Sequence, residues 1–105
     1  KTSHAQQKAL EYLDSITKRF YLNEHDDKEA KRILKKGLEY SWSVVLAANI
    51  DAGKPLFEKW FFADAATQRI MLTNLTKKRL IKADPDWAAS LLSQKGIFKG
   101  LESYD

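Results

Sequence analysis

Apolar residues recur every three to four positions almost throughout the chain and nowhere alternate with polar ones over a strand-length run. That periodicity predicts an all-helical protein. Ala9, Leu13, Ile16 and Phe20 form one stripe, with Leu10 beside it and Lys8, Glu11, Lys18 and Arg19 on the flanks, so a first helix is expected from about Ser3 to Tyr21. The polar run from Asn23 to Asp27, through Glu24 and His25, is rich in residues that bond their own backbone. It predicts a turn in which Asp26 or Asp27 caps a second helix starting near Lys28. In that helix Ala30, Ile33, Leu34, Leu38, Trp42, Val45, Leu46 and Asn49 share a widening face, and the second half, apolar nearly all round, is expected to be the most buried part of the fold. Gly37 lies within it at a cost of about 1 kcal/mol relative to alanine, which predicts the close approach of a neighbouring helix.

Asp51 is placed to cap a third, shorter helix carrying Leu56, Phe57, Trp60 and Phe61, with Pro55 near its first turn, where a missing amide costs little. The short connection around Ile50 makes helices two and three antiparallel neighbours. Asp64 is the expected cap of a fourth helix with Ile70, Met71, Leu75 and Leu80 inward. Its end is crowded by Lys77, Lys78, Arg79 and Lys82, where cations complement the helix dipole. Asp84 followed by Pro85 is a strong start signal for a fifth helix with Trp87, Leu91 and Leu92, stopped near Gly96. The remaining residues, 97–105, are either a docked tail or a short turn.

At 105 residues and 44% hydrophobic, the chain suits one helical domain over 1–105 rather than two. Its opening at Lys1 rather than at a methionine leaves room for a longer array upstream. Without cysteine, neither a disulfide framework nor a thiolate metal site can form, and a cytoplasmic setting is favoured. No run reaches the roughly 18 consecutive apolar residues of a membrane helix, so no membrane association is expected. Eighteen Lys and Arg against fourteen Asp and Glu give a formal charge of +4, an excess that solubility alone explains but that also suits an acidic partner.

Helices one and two span roughly 45 residues and helices three and four roughly 33, periods typical of two-helix repeats, with helix five opening a third unit. Leu56-Phe57-Glu58-Lys59-Trp60, then Asp64, Arg69-Ile70, Asn74-Leu75, Lys77-Lys78-Arg79-Leu80 and Asp84-Pro85-Asp86-Trp87, resemble the closing repeats of bacterial and archaeal HEAT-repeat proteins. The preceding helix of that pattern is matched by the stretch from Ser41 to Ala48, and the resemblance extends over residues 38–92, about half the chain. It implies an α-α superhelix of about five antiparallel helices that binds partners through an exposed helical ridge. A weaker similarity joins the same residues to HEAT-like DNA alkylation repair glycosylases, implying a nucleic-acid-binding module as the alternative. That family works with a much longer curved array, so no catalytic residue is carried over.

Reactive groups are scarce. His4 and His25 are the only histidines, and a metal site would need both plus a carboxylate. No phosphate loop, nucleophile elbow or His-Glu-x-x-His run is present, and Ser41 and Ser43 flank Trp42 without a histidine near in sequence. Asp26, Asp27, Asp51, Asp64, Asp84 and Asp86 all stand where helix caps are expected. Glu39, beside the most apolar part of helix two, calls for an ion-pair partner such as Lys35, Lys36 or Arg69. Trp42, Phe57, Trp60 and Trp87 fall at core spacing, whereas Tyr12, Tyr40 and Phe62 are expected to project outward.

The cations fall into two sets. Lys28, Lys31, Arg32, Lys35 and Lys36 lie on the early half of helix two, balanced by Glu24, Asp26, Asp27 and Glu29; the second set closes helix four. The expected function is therefore non-enzymatic binding of a protein partner, without cofactor, through a face including Arg32, Lys36, Lys77, Lys78, Arg79 and Lys82. Nucleic acid is the alternative ligand should both sets share a face.

Overall fold

The computed structural model describes residues 4–24 and 27–101, so Ser3, His25 and Asp26 and the end of the tail from 102 lie outside the described residues. The described residues are all-helical and contain no strand. Six helices follow one another: α1 (His4–Tyr21), α2 (Lys28–Ala48), α3 (Ile50–Phe61), α4 (Ala65–Leu75), α5 (Lys78–Ala83) and α6 (Pro85–Leu92). None of them is long and apolar enough to cross a membrane.

Three starts are set by aspartate. The carboxylates of Asp27, Asp64 and Asp84 accept the amides of Ala30 (2.7 Å), Thr67 (2.8 Å) and Trp87 (3.1 Å), relieving one otherwise unpaired donor in each first turn. Helix α3 departs from this expectation. It begins at Ile50, with Asn49 at its cap and no side-chain bond, so Asp51 lies in the first turn and Pro55 falls inside the helix. Asn49 instead turns its amide back to the Val45 carbonyl at 2.9 Å.

The single helix expected from Asp64 to the basic cluster is two. Thr76 Oγ1 donates to the Thr73 carbonyl at 2.7 Å, and Lys77, with ψ at 136°, leaves the helical conformation and becomes the cap of α5. A hydroxyl bonded back to its own turn competes with helix continuation. Lys77 consequently lies between the two helices, Lys78 and Arg79 open α5, and the dipole of α5 favours only Lys82, in its last turn.

Contacts along each helix pair fix their directions. Thr17 meets Trp42, and Phe20 meets Lys31, so α1 and α2 are antiparallel. Leu10 approaches Gly53, and Asp14 bonds both Lys59 and Trp60, so α1 and α3 run parallel. Arg69 shares a groove with Lys28, whereas Asn74 bonds Leu38 and Ser43, so α2 and α4 also run parallel. Lys54 and Glu58 meet Asp84 and Trp87 in the same order, which sets α6 parallel to α3. Helices α1, α3 and α6 thus share one direction and α2 and α4 the other, within a body of 37 × 32 × 28 Å.

Helix α2 packs most extensively, against α4 and α1. Its Leu38, Trp42 and Leu46 join Phe57, Trp60, Phe61, Ile70, Met71, Leu75 and Leu80 in the core. Phe57 touches the rings of Trp42 (6.0 Å between centroids) and Trp87 (5.3 Å), both near edge-to-face, tying α2, α3 and α6 together. Trp42 Nε1 donates to Thr17 Oγ1 at 2.9 Å, and that hydroxyl donates to the Leu13 carbonyl at 2.7 Å, so the buried indole is satisfied.

Four expectations about side chains change. Ile33 and Ala30 point outward, Ile33 being 59% exposed, because α1 and α4 occupy two sides of α2 and leave its third open. Val44 and Tyr40 lie on the same open side, so the second half of α2 is not buried all round. Phe62 is buried, packed on Phe61 and covered by Lys99. Gly37 has open space where a Cβ would stand; the close approach is at Gly53, where a Cβ would collide with Leu46 Cδ1 and meet Leu10 Cδ2 at 3.2 Å.

The tail is docked. Lys99 and Gly100 both donate to the Phe62 carbonyl, at 2.7 and 3.1 Å. Gln68 Nε2 donates to the carbonyls of Phe61 and Ile97 while its Oε1 accepts the amide of Gly96, whose φ of 91° ends the turn after α6.

Candidate binding surface

The end of α1, the first half of α2 and the start of α4 enclose a groove of about 310 Å³, lined by Phe20, Lys28, Lys31, Arg32, Lys35, Ala66 and Arg69. Five of the seven lining residues are cationic and none is acidic. The pattern follows from helical geometry: positions 28, 31, 32 and 35 recur at three and four residues and therefore share one side of α2. Arg69 comes from α4 because that helix runs parallel to α2 and starts beside it.

Local structure positions these charges. Asn23 ends α1 with φ at 59°, a left-handed conformation that asparagine tolerates, while the amide of Glu24 returns to the Arg19 carbonyl. Its side-chain oxygen then accepts Lys31 Nζ at 2.6 Å, holding that ammonium 5.1 Å from the centroid of the Phe20 ring. Arg32 makes a two-pronged pair with Glu29, at 3.2 and 2.6 Å. Lys35 lies 3.7 Å from Glu39, the structural ion pair expected of that glutamate, and too long for a direct hydrogen bond. Exposed pairs of this kind exchange readily with an incoming anion, since each contributes roughly 0–1 kcal/mol.

Of the six residues expected to carry binding, the structure places only Arg32 in this groove. Lys36 lies exposed one turn further along α2, and Tyr40 one turn beyond that. Arg79 reaches α2 from α5: its Nη1 donates to Ser43 Oγ at 3.0 Å and its guanidinium stacks 5.1 Å from the Tyr40 centroid. Lys77 is half-buried as the cap of α5, and Lys78 and Lys82 are exposed on that helix. The second basic set thus meets α2 through Arg79, at Tyr40 and Ser43, rather than through the groove.

Arg69, which the sequence offers only as a partner for Glu39, completes the cationic lining of the groove. It also lines a second hollow, of about 430 Å³, on the other side of α4, with Ala65, Gln68, Leu72, Lys95, Gly96 and Phe98. The adjacency of Ala66 and Phe98 to one arginine depends on how α4 and the tail pack, which no local pattern reveals. A third hollow of about 580 Å³ lies between α3 and the tail, around Leu56, Phe62 and Leu101.

Among the described residues, no group of three or more His, Cys, Asp or Glu is arranged to hold a metal ion. Ser43 Oγ is occupied with the Tyr40 carbonyl at 2.9 Å and with Arg79. Lys54 and Asp84 are pushed from their ordinary pKa values. Their mutual hydrogen bond raises the lysine and lowers the aspartate, an arrangement that fastens α3 to the cap of α6. No protein-family model matches the chain, and no curated protein or solved structure matches it either.

Proposed function

We infer that this protein is a non-enzymatic binding module whose ligand surface is the basic side of α2 and α4, and that its partner is acidic. The observation that carries this reading is the groove in which Lys28, Lys31, Arg32, Lys35 and Arg69 converge with no carboxylate in the lining. Five cations within one groove, two of them paired at its edge with Glu29 and Glu39, concentrate positive charge there, and such focusing recruits anions from solution. Lys36, Lys77, Lys78, Arg79 and Lys82 extend the positive field along α2 and α5 and act as the rim. A cytoplasmic setting goes with the reading.

A place among HEAT-type helical repeat modules is part of the same proposal. Its support is the order of the helices: antiparallel pairs whose second members, α2 and α4, begin at the aspartate caps Asp27 and Asp64, with α1 and α3 parallel to one another and α2 and α4 parallel to one another. In such stacks the side chains exposed along one layer form the ligand surface.

The test is titration of the protein with poly-L-glutamate at low and at moderate ionic strength. Binding that weakens steeply with salt and is lost in Arg32→Glu/Arg69→Glu supports the reading. Absence of binding at low salt, or binding unchanged in the double variant, overturns it.

A further inference from the structure

Arg69 separates two hollows of different character. On one side lies the basic groove; on the other, Leu72 and Phe98 make an apolar hollow beside Lys95. Phe98 is 48% exposed and Ile97 next to it 47%, although the backbone between Gly96 and Gly100 is held by four hydrogen bonds to Gln68 and Phe62. A tail docked through its backbone therefore presents its large side chains to solvent. Arg69 itself is exposed, and none of its guanidinium nitrogens bonds a carboxylate among the described residues.

Resting on the binding reading above, we propose that the two hollows form one docking site for an acidic segment of a partner protein, in which an apolar anchor side chain adjoins two or three carboxylates. The anchor occupies the hollow of Leu72 and Phe98. The carboxylates lie along Arg69, Lys35, Arg32 and Lys28, with Arg69 gripping the one next to the anchor in two-pronged fashion. Charge complementarity selects an acidic ligand, and the apolar half selects a peptide over a phosphate strand. The first and last of the α2 cations, Lys28 and Lys35, stand seven positions apart, about 10 Å along the helix axis, enough for a few side chains of an extended peptide. Single-stranded nucleic acid calls for exposed aromatic faces at successive bases along the basic track, whereas Phe20 in the groove is buried and Phe98 is the aromatic residue at the far hollow.

Three fluorescent probes test the proposal by anisotropy with the whole chain: a peptide with one phenylalanine flanked on each side by three glutamates, the same peptide with serine for phenylalanine, and oligo(dT). The phenylalanine peptide is expected to bind at least about tenfold more tightly than the serine peptide, the value of burying one aromatic side chain. Phe98→Ala should remove that advantage and leave the serine peptide unaffected, Arg69→Glu should weaken both, and Lys8→Glu, on the far end of α1, should change neither. Circular dichroism of each variant confirms that its helices persist. Equal binding of the two peptides overturns the anchor while leaving the basic-groove reading intact. Tighter binding of oligo(dT) than of either peptide overturns the acidic peptide in favour of nucleic acid, and binding of none overturns both readings.

Discussion

Asn74 Oδ1, on α4, accepts the main-chain amide of Ser43, on α2, at 2.8 Å. Its Nδ2 donates to the carbonyls of Leu38 (3.0 Å) and Ile70 (2.9 Å), so one fully buried side chain is bonded into the backbone of two parallel helices. This clamp fixes the separation of α2 and α4 and with it the width of the basic groove. Replacing Asn74 by alanine leaves buried polar groups unpaired, and each such loss costs about 1–3 kcal/mol. Urea denaturation of Asn74→Ala should show a destabilisation of at least that size, while an unchanged midpoint would contradict the clamp.

The two glycines inside helices should respond with opposite sign. At Gly37 an alanine finds open space and a helical backbone, so Gly37→Ala should stabilise by about 0.5–1 kcal/mol. At Gly53 the added methyl collides with the core side chain of Leu46, and Gly53→Ala should destabilise by about 1–3 kcal/mol. Thermal melts of the two variants against the parent decide the matter.

Thr17 supplies the acceptor for the buried Trp42 indole. Thr17→Val keeps the shape but leaves that N–H unpaired, which should cost about 1–3 kcal/mol, whereas Thr17→Ser retains the hydroxyl and should recover most of the loss. Equal stability of the two variants in denaturant would show that the bond contributes little.

Asp84 carries two duties, capping α6 through the Trp87 amide and pairing with Lys54. Because its pKa is lowered, its contribution is present above the unfolded-state value near 3.8 and is lost as pH falls through the lower folded value. Lys54, raised above 10.5, contributes below that value and loses its part as pH rises through the folded one. Asp84→Asn can still cap the helix but cannot form the ion pair. It should flatten the acid limb of a stability-against-pH curve, and an acid limb identical to the parent's would refute the assignment.

Where local chemistry decides a feature, the sequence was informative. Asp27, Asp64 and Asp84 cap helices as their positions predict, and Trp42, Phe57 and Trp60 enter the core at the expected spacing. Where the outcome depends on a neighbour, it was not. Ile33 looks inward by periodicity, yet α1 and α4 claim other sides of α2. Phe62 looks free until the tail folds over it, and the bond of Thr76 back to Thr73 outweighs the helical pattern that would have carried α4 on to Lys82. The groove has the same origin: its α2 cations are readable as a stripe, but Arg69 joins them only through the packing of α4 along α2, which the Asn74 bonds help to hold.

The most direct measurement is amide chemical-shift mapping of the labelled protein during titration with a hexaglutamate peptide. Binding of an acidic partner in the basic groove predicts saturable shifts concentrated at Lys28, Lys31, Arg32, Lys35 and Arg69, diminishing as salt is raised. Shifts confined to Lys77, Lys78, Arg79 and Lys82, or scattered evenly over the exposed lysines, would contradict it.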